Sequence, residues 1–289
     1  KRTGVHVAGH VRKALAALGP AATTALLRDL QRPPLRLARP LQWLGEQVNS
    51  PRLIALAWQR GDTRHRAALA LEWCGADPAW LVPDLLQGLG RCELPRTRVQ
   101  LVRLLVAAGP DAVDPILAWA PHARPDRAAL MLEAHDFMLA RPGPPAVLAP
   151  ERQGAIRVLL ARTNVPLRTA TLRATERARA AAAGLTDAVE KAGRTVPVTA
   201  ELERAAVRCL AAVSTNAATA VPLLATWAGH PNAEVRREAL LALARFGPDA
   251  APALPAVLKA LTEPAAATRL PAINLAGRIG PAAAGAAEL

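Results

Sequence analysis

Few residues in this chain have the types and spacing that chemistry requires. His6 and His10 lie four apart in His-Val-Ala-Gly-His, which can place two imidazoles on one side of a helix. The Glu that serves a zincin as general base is absent, however, and no third ligand is in view, so no metal is expected. His135-Asp136 is a lone acid-base pair on a helix, a combination common on solvated faces. The three cysteines, Cys74, Cys92 and Cys209, form no CxxC pair and leave an odd thiol over. That argues against a disulfide framework and for a reducing compartment, by default the cytoplasm. No GxxxxGK[ST], GxGxxG or GxSxG occurs, which removes nucleotide cradles and the serine elbow, and no cofactor is expected. The chain has no Tyr, so one class of general acid is missing as well.

The residues that remain chemically notable are arginines. Lys and Arg number 36 against 23 Asp and Glu, a formal net charge of +13. Lys1, Lys13, Lys191 and Lys259 are the only lysines. Such a balance attracts acidic proteins, nucleic acid or anionic surfaces without choosing among them. No window approaches 18 uninterrupted apolar residues, so no membrane span is expected. The start, Lys1-Arg2-Thr3-Gly4, has neither an initiator Met nor a secretory apolar region and reads as a trimmed or partial chain.

The elements that carry these arginines repeat. Gly75, Gly109, Gly247 and Gly280 each have an Arg eleven residues earlier: Arg64, Arg98, Arg236 and Arg269. The intervals are 34 between the first two glycines and 33 between the last two, and Ser214, with Glu203 in the Arg slot, extends the series. Positions four and eight before the Gly are apolar throughout, as in Leu105 with Leu101 and Leu243 with Ala239, one stripe of a 3.6-residue period. The Gly suits a helix end in the left-handed region. After it, Gly109-Pro110-Asp111 and Gly247-Pro248-Asp249 place an Asp where a helix start has orphan N–H groups. Each unit is then a first helix such as 250–261, a turn holding Pro (His230-Pro231-Asn232, Glu263-Pro264), and a second helix ending at the Gly. At 289 residues and 3% aromatics, an Ala-, Leu- and Val-rich array packing only on its neighbours is the expected architecture.

The segment from Pro222 to Gly247 resembles a HEAT repeat, of the short bacterial kind grouped with phycobilin-lyase-like repeats; Val235-Arg236 matches the Val-Arg pair that opens the family's second helix. The resemblance implies that this Arg meets an acid six residues earlier in the motif, in a ladder between repeats. That slot holds Trp58, Cys92, His230 and Glu263, so Glu263 with Arg269 is the expected ionic version. It also implies that the second helices line the concave side. Positions two, six and nine before the Gly share one face, which yields Arg66, Trp73, Arg103, Arg208, Arg245 and Arg278 as binding candidates.

The sequence therefore predicts an all-α fold, an α-solenoid of about seven or eight stacked helical hairpins. It is expected to form a single array over residues 1–289, regular over about 52–120 and 199–289 and irregular over about 121–198, with a bend or long loop near 141–150. The expected function is a non-enzymatic scaffold for protein–protein interaction through a basic concave face, its partner an acidic surface or segment, with the oligomeric state open. The alternative is a nucleic-acid-binding protein. Some alkylpurine DNA glycosylases are built from HEAT-like repeats, and Glu72 beside Trp73, near Arg66 and Arg103, would supply the carboxylate and indole such an enzyme uses. A phycobilin lyase would need a chromophore-handling pocket that nothing in the sequence marks.

Overall fold

The computed structural model describes residues 23–28, 30, 67, 68, 70, 71, 78–92, 95–139 and 148–288. Among them every regular element is helical and none is a strand. The chain divides into two compact units, residues 1–119 and 120–289. The first contains α1 (Pro78–Arg91), α2 (Pro95–Ala107) and α3 (Val113–Trp119), with α1 packed on both others. The second contains α4 (Pro125–Leu139), α5 (Pro150–Leu160), α6 (Val165–Ala178), α7 (Thr186–Arg194), α8 (Ala200–Val213), α9 (Ala217–Ala228), α10 (Ala233–Leu243), α11 (Leu254–Leu261) and α12 (Ala266–Ile279).

Packing in the second unit follows a helical-repeat solenoid. Helices α5, α7, α9 and α11 each pair with the helix that follows them, and α4, α6, α8, α10 and α12 pack successively on one another as a second layer. In this layer the predicted stripe is fully buried at Ala206, Leu210, Ala239, Leu243 and Ala272 and half-buried at Ala276, and within the first unit Leu101 and Leu105 are fully buried. Each buried Leu contributes about 1.5–3 kcal/mol by leaving water, which supplies what no single short helix has on its own.

Side-chain caps start the helices. Asn164 and Asn232 each accept a backbone N–H through Oδ1 at 2.9 Å, from Leu167 and Glu234 respectively. Thr199 accepts from the Leu202 N–H at 3.2 Å. A cap of this kind is worth about 1 kcal/mol. The Asp expected in that role after Gly247 is not one: Asp249 is exposed inside a 3-10 segment, Ala244–Ala253, which delays α11 to Leu254 instead of Ala250.

The closing glycines do have positive φ, 71° at Gly109, 56° at Gly247 and 75° at Gly280. The ψ values of −129° at Gly247 and −142° at Gly280 are extended, not helical, so the chain leaves the helix through a conformation nearly closed to side chains. Arg179, eleven after Arg168 in the stretch the sequence reads as irregular, ends α6 in the same conformation, at φ 49° and ψ −135°. The expected bend near 141–150 falls mostly outside the described residues.

Candidate functional site

In three successive second helices of the second unit, the residue in the Arg slot is a joint between repeats. Arg236, in the first turn of α10, donates from Nη1 to the carbonyls of His230 and Pro231 at 2.8 and 2.9 Å, and from Nη2 to Glu263 Oε2 of the next repeat at 2.8 Å. Thr268 Oγ1 donates to the same carboxylate oxygen at 2.8 Å. The Arg236 hydrogen bond, aided by Thr268, holds the Glu263 carboxyl below the usual carboxylate range against the opposing effect of burial. The predicted pairing of Glu263 with Arg269 is thus corrected: the acid reaches back one repeat, because the stacking direction brings each turn against the preceding second helix.

The rung before it uses different chemistry at the same positions. Glu203 occupies the Arg slot, and His230 Nε2 lies 3.0 Å from Glu203 Oε1. His230 Nδ1 accepts the Asn232 N–H at 3.1 Å, so the ring proton that meets Glu203 sits on Nε2. One repeat earlier, Arg168 is fully buried. It clasps the loop before α8 by donating to the carbonyls of Ala192 at 3.0 Å, Thr195 at 2.5 Å, and Pro197. Burial lowers the pKa of Arg168 from its ordinary value, and the carbonyl fork replaces the water its charge gave up. Arg168, Glu203 and Arg236 are therefore three rungs of one ladder, and the first lay unrecognised in the sequence.

Positions six before the closing residue are open to solvent or half-open: Arg103 on α2, Arg208 on α8, Leu241 on α10 and Asn274 on α12. Arg245 and Arg278, two before it, are exposed. At position nine, three residues and about 60° round the helix from position six, Gln100, Ala205 and Pro271 are buried and Glu238 is half-buried. Arg66 and Trp73 lie outside the described residues, as do Glu72, His6 and His10.

Most arginines on this layer are already engaged. Arg208 Nε is 3.6 Å from Glu176, and Arg173 lies 2.6 Å from Glu201 and 3.7 Å from Glu133. Arg204 and Arg237 share Glu234, at 3.3 and 3.8 Å. Arg278 donates from Nη1 to the Ala244 carbonyl at 3.2 Å and from Nε to Asn274 Oδ1 at 3.1 Å. Arg103 and Arg245 have no partner among the described residues. Exposed pairs of this kind add little stability individually, but they cancel much of the positive potential.

No group of three His, Cys, Asp or Glu that could hold a metal exists among the described residues. Cys92 and Cys209 are buried and outside any disulfide; burial, with the nearby Glu176 charge, pushes the Cys209 thiol up, which disfavours the nucleophilic thiolate. Among the described residues no helix is long and apolar enough to cross a membrane.

Residues 199–277 match the family model for HEAT repeats. The crystal structure of an engineered protein from the Northeast Structural Genomics Consortium is similar over 93% of this chain and 78% of that chain, with 17% identity and a TM-score of 0.51, a likeness of fold alone. No curated protein matches.

Proposed function

From the match of residues 199–277 to HEAT repeats, we propose that the chain is a non-enzymatic scaffold that binds an acidic, amphipathic protein segment along its second-helix face. HEAT repeats generally serve protein interaction. The observation that carries the reading is the pair Leu241 and Arg245, one turn apart. Leu241 is 41% exposed, and Arg245 is exposed without a partner among the described residues. Neither the core nor the ladder uses them, and an apolar contact beside an uncommitted cation suits a helix that carries both a Leu-type residue and an acid.

A phosphate backbone would instead need several uncommitted cations in a row. The carboxylates beside Arg173, Arg204, Arg208 and Arg237 favour the protein partner over nucleic acid. The buried Cys92 and Cys209, outside any disulfide, fit a reducing compartment such as the cytoplasm.

The test is fluorescence anisotropy with two labelled probes, a Glu/Leu-rich helical peptide and duplex DNA, each at low and near-physiological salt. The peptide is expected to bind saturably and to lose about tenfold in affinity with Leu241→Glu or Arg245→Glu, the loss of one anchor residue. These variants are cleaner than Arg208→Glu, which would also place a second carboxylate against Glu176. Tight DNA binding with a steep fall in log affinity against log salt, and no peptide binding, would overturn the proposal in favour of nucleic acid.

A further inference from the structure

The residue eleven after the Arg slot closes each second helix, and the chain does this in two unstrained ways. Gly109, Gly247 and Gly280 close at positive φ. Ser214 closes in ordinary extended backbone, at φ −75° and ψ 120°. Arg179, which closes α6, follows neither. It takes φ 49° and ψ −135°, the conformation of Gly247 at φ 56° and ψ −129°, which a residue with a Cβ enters only under strain.

No contact within the fold relieves that strain. The Arg179 side chain is exposed and has no hydrogen-bond or ion-pair partner among the described residues. Its exposure does not come from an end of the array, because α6 packs between α4 and α8. Leu172, seven residues before Arg179, is fully buried, as are Val207 and Leu240 at the same position on α8 and α10. A strained residue that the fold itself does not use marks a position kept for what its side chain meets. Charge indicates what that is. Near the starts of α8 and α10, Glu201 and Glu234 occupy Arg173, Arg204 and Arg237. At the ends of α6 and α10, two helices apart in one layer, Arg179 and Arg245 stand exposed and uncommitted.

We propose that Arg179 is a recognition residue, held in a glycine's place to bind a second carboxylate of the acidic segment received by Leu241 and Arg245, a proposal that rests on that reading of the face and adds the partner's length. Packed helices lie about 8–10 Å apart, so the ends of α6 and α10 are separated by about 16–20 Å. Three turns of helix, about 11 residues, span about 16 Å and return to the same side. The partner is therefore a helix that crosses the ends of α6, α8 and α10 with acids about three turns apart, one for each arginine. Between them α8 presents Ala212, small and half-buried, which leaves the crossing helix room.

Two stapled helical peptides with a fluorescent label, titrated into the full chain and read by anisotropy, test this. Both carry a central Leu and Glu for Leu241 and Arg245. One also carries Glu about 11 residues to each side, so that either direction along the array is served, and the other carries Gln at those places. The Glu-ended peptide should bind about three- to tenfold more tightly, the scale of one charge-assisted contact, and Arg179→Gly should remove that advantage. Arg179→Lys, which keeps the charge, should retain most of it. Arg179→Gly should also raise the melting temperature, which separates its loss of binding from damage to the fold. The proposal is overturned if wild type binds the two peptides alike, or if Arg179→Gly weakens both equally. It is overturned as well if Arg179→Gly lowers affinity for duplex DNA and leaves the Glu-ended peptide untouched, which would make the ligand a nucleic acid. Should Leu241→Glu weaken both peptides while Arg179→Gly changes neither, the role of Arg179 alone fails; should neither peptide bind saturably, the reading of Leu241 and Arg245 fails with it.

Discussion

The Arg236–Glu263 rung offers the sharpest test of the ladder. The two side chains are each 17% exposed and their charged atoms lie 2.8 Å apart. Unit charges at that separation attract by about 6 kcal/mol at an effective dielectric constant near 20, and desolvation removes much of that. A net coupling of about 1–2 kcal/mol is expected. Arg236→Met, Glu263→Gln and the double variant form a thermodynamic cycle, read by urea unfolding with the m-value checked for constancy. Arg236→Met should cost about 2–3 kcal/mol, since it also strips the bonds to the His230 and Pro231 carbonyls. Glu263→Gln should cost about 1–2 kcal/mol, and the double variant less than their sum by the coupling. The sign of the pH dependence follows from the lowered carboxyl. Its contribution is present in full above the unfolded value of 4.5 and disappears as pH falls through the lower folded value. Glu263→Gln should therefore flatten that part of the acid limb. A coupling within about 0.3 kcal/mol of zero, inside the usual additivity error, would refute the rung as an energetic joint.

Arg168→Met keeps an apolar stem but leaves the Ala192, Thr195 and Pro197 carbonyls without their shared donor; a loss of about 3 kcal/mol is expected in chemical unfolding, and less than about 1 kcal/mol would show the clasp to be idle. Arg179→Gly should raise stability by about 1 kcal/mol, because φ 49° with ψ −135° is a conformation that strains any residue with a Cβ; a lower melting temperature would contradict it. Gly193→Ala runs the other way. Its Cβ would stand 2.7 Å from that of Ala206 and 3.1 Å from the Trp227 ring, so a loss of about 1–3 kcal/mol is expected despite the better helix propensity of Ala, and an unchanged melt would show that α7 can shift.

The repeat could be read in the sequence because its two markers have separate physical causes eleven residues apart: a Gly where φ is positive, and an Arg that joins repeats. Ser214 with Glu203, where both markers are replaced, is still legible from its 33-residue interval to Gly247, whereas the unit before it is not. Arg168 and Arg179 keep the eleven-residue spacing, but Arg stands in the Gly position, and 35 residues, not 33, separate Arg168 from Glu203. The partner of Glu263 was misplaced because spacing along one helix says nothing about which neighbour a turn faces. At position nine the apolar stripe is no guide, because Gln100 and Pro271 do not look like core residues, yet both are buried. A regular series of Leu172, Val207, Leu240 and Ile273 was present to be found, and shows which side of each second helix meets the next.

The rungs are not interchangeable, and this bears on how the hairpins find their order during folding. Repeats of similar outline are prone to join with a neighbour skipped. Here a skip of one hairpin would set Glu203 against Glu263, carboxylate on carboxylate, and would bring Arg168 to a turn headed by an imidazole in place of the carbonyls it clasps. The correct sequence of partners is the one in which every donor meets an acceptor. Alternating the polarity of the joint thus gives each hairpin an address in an otherwise uniform row of Ala- and Leu-rich helices.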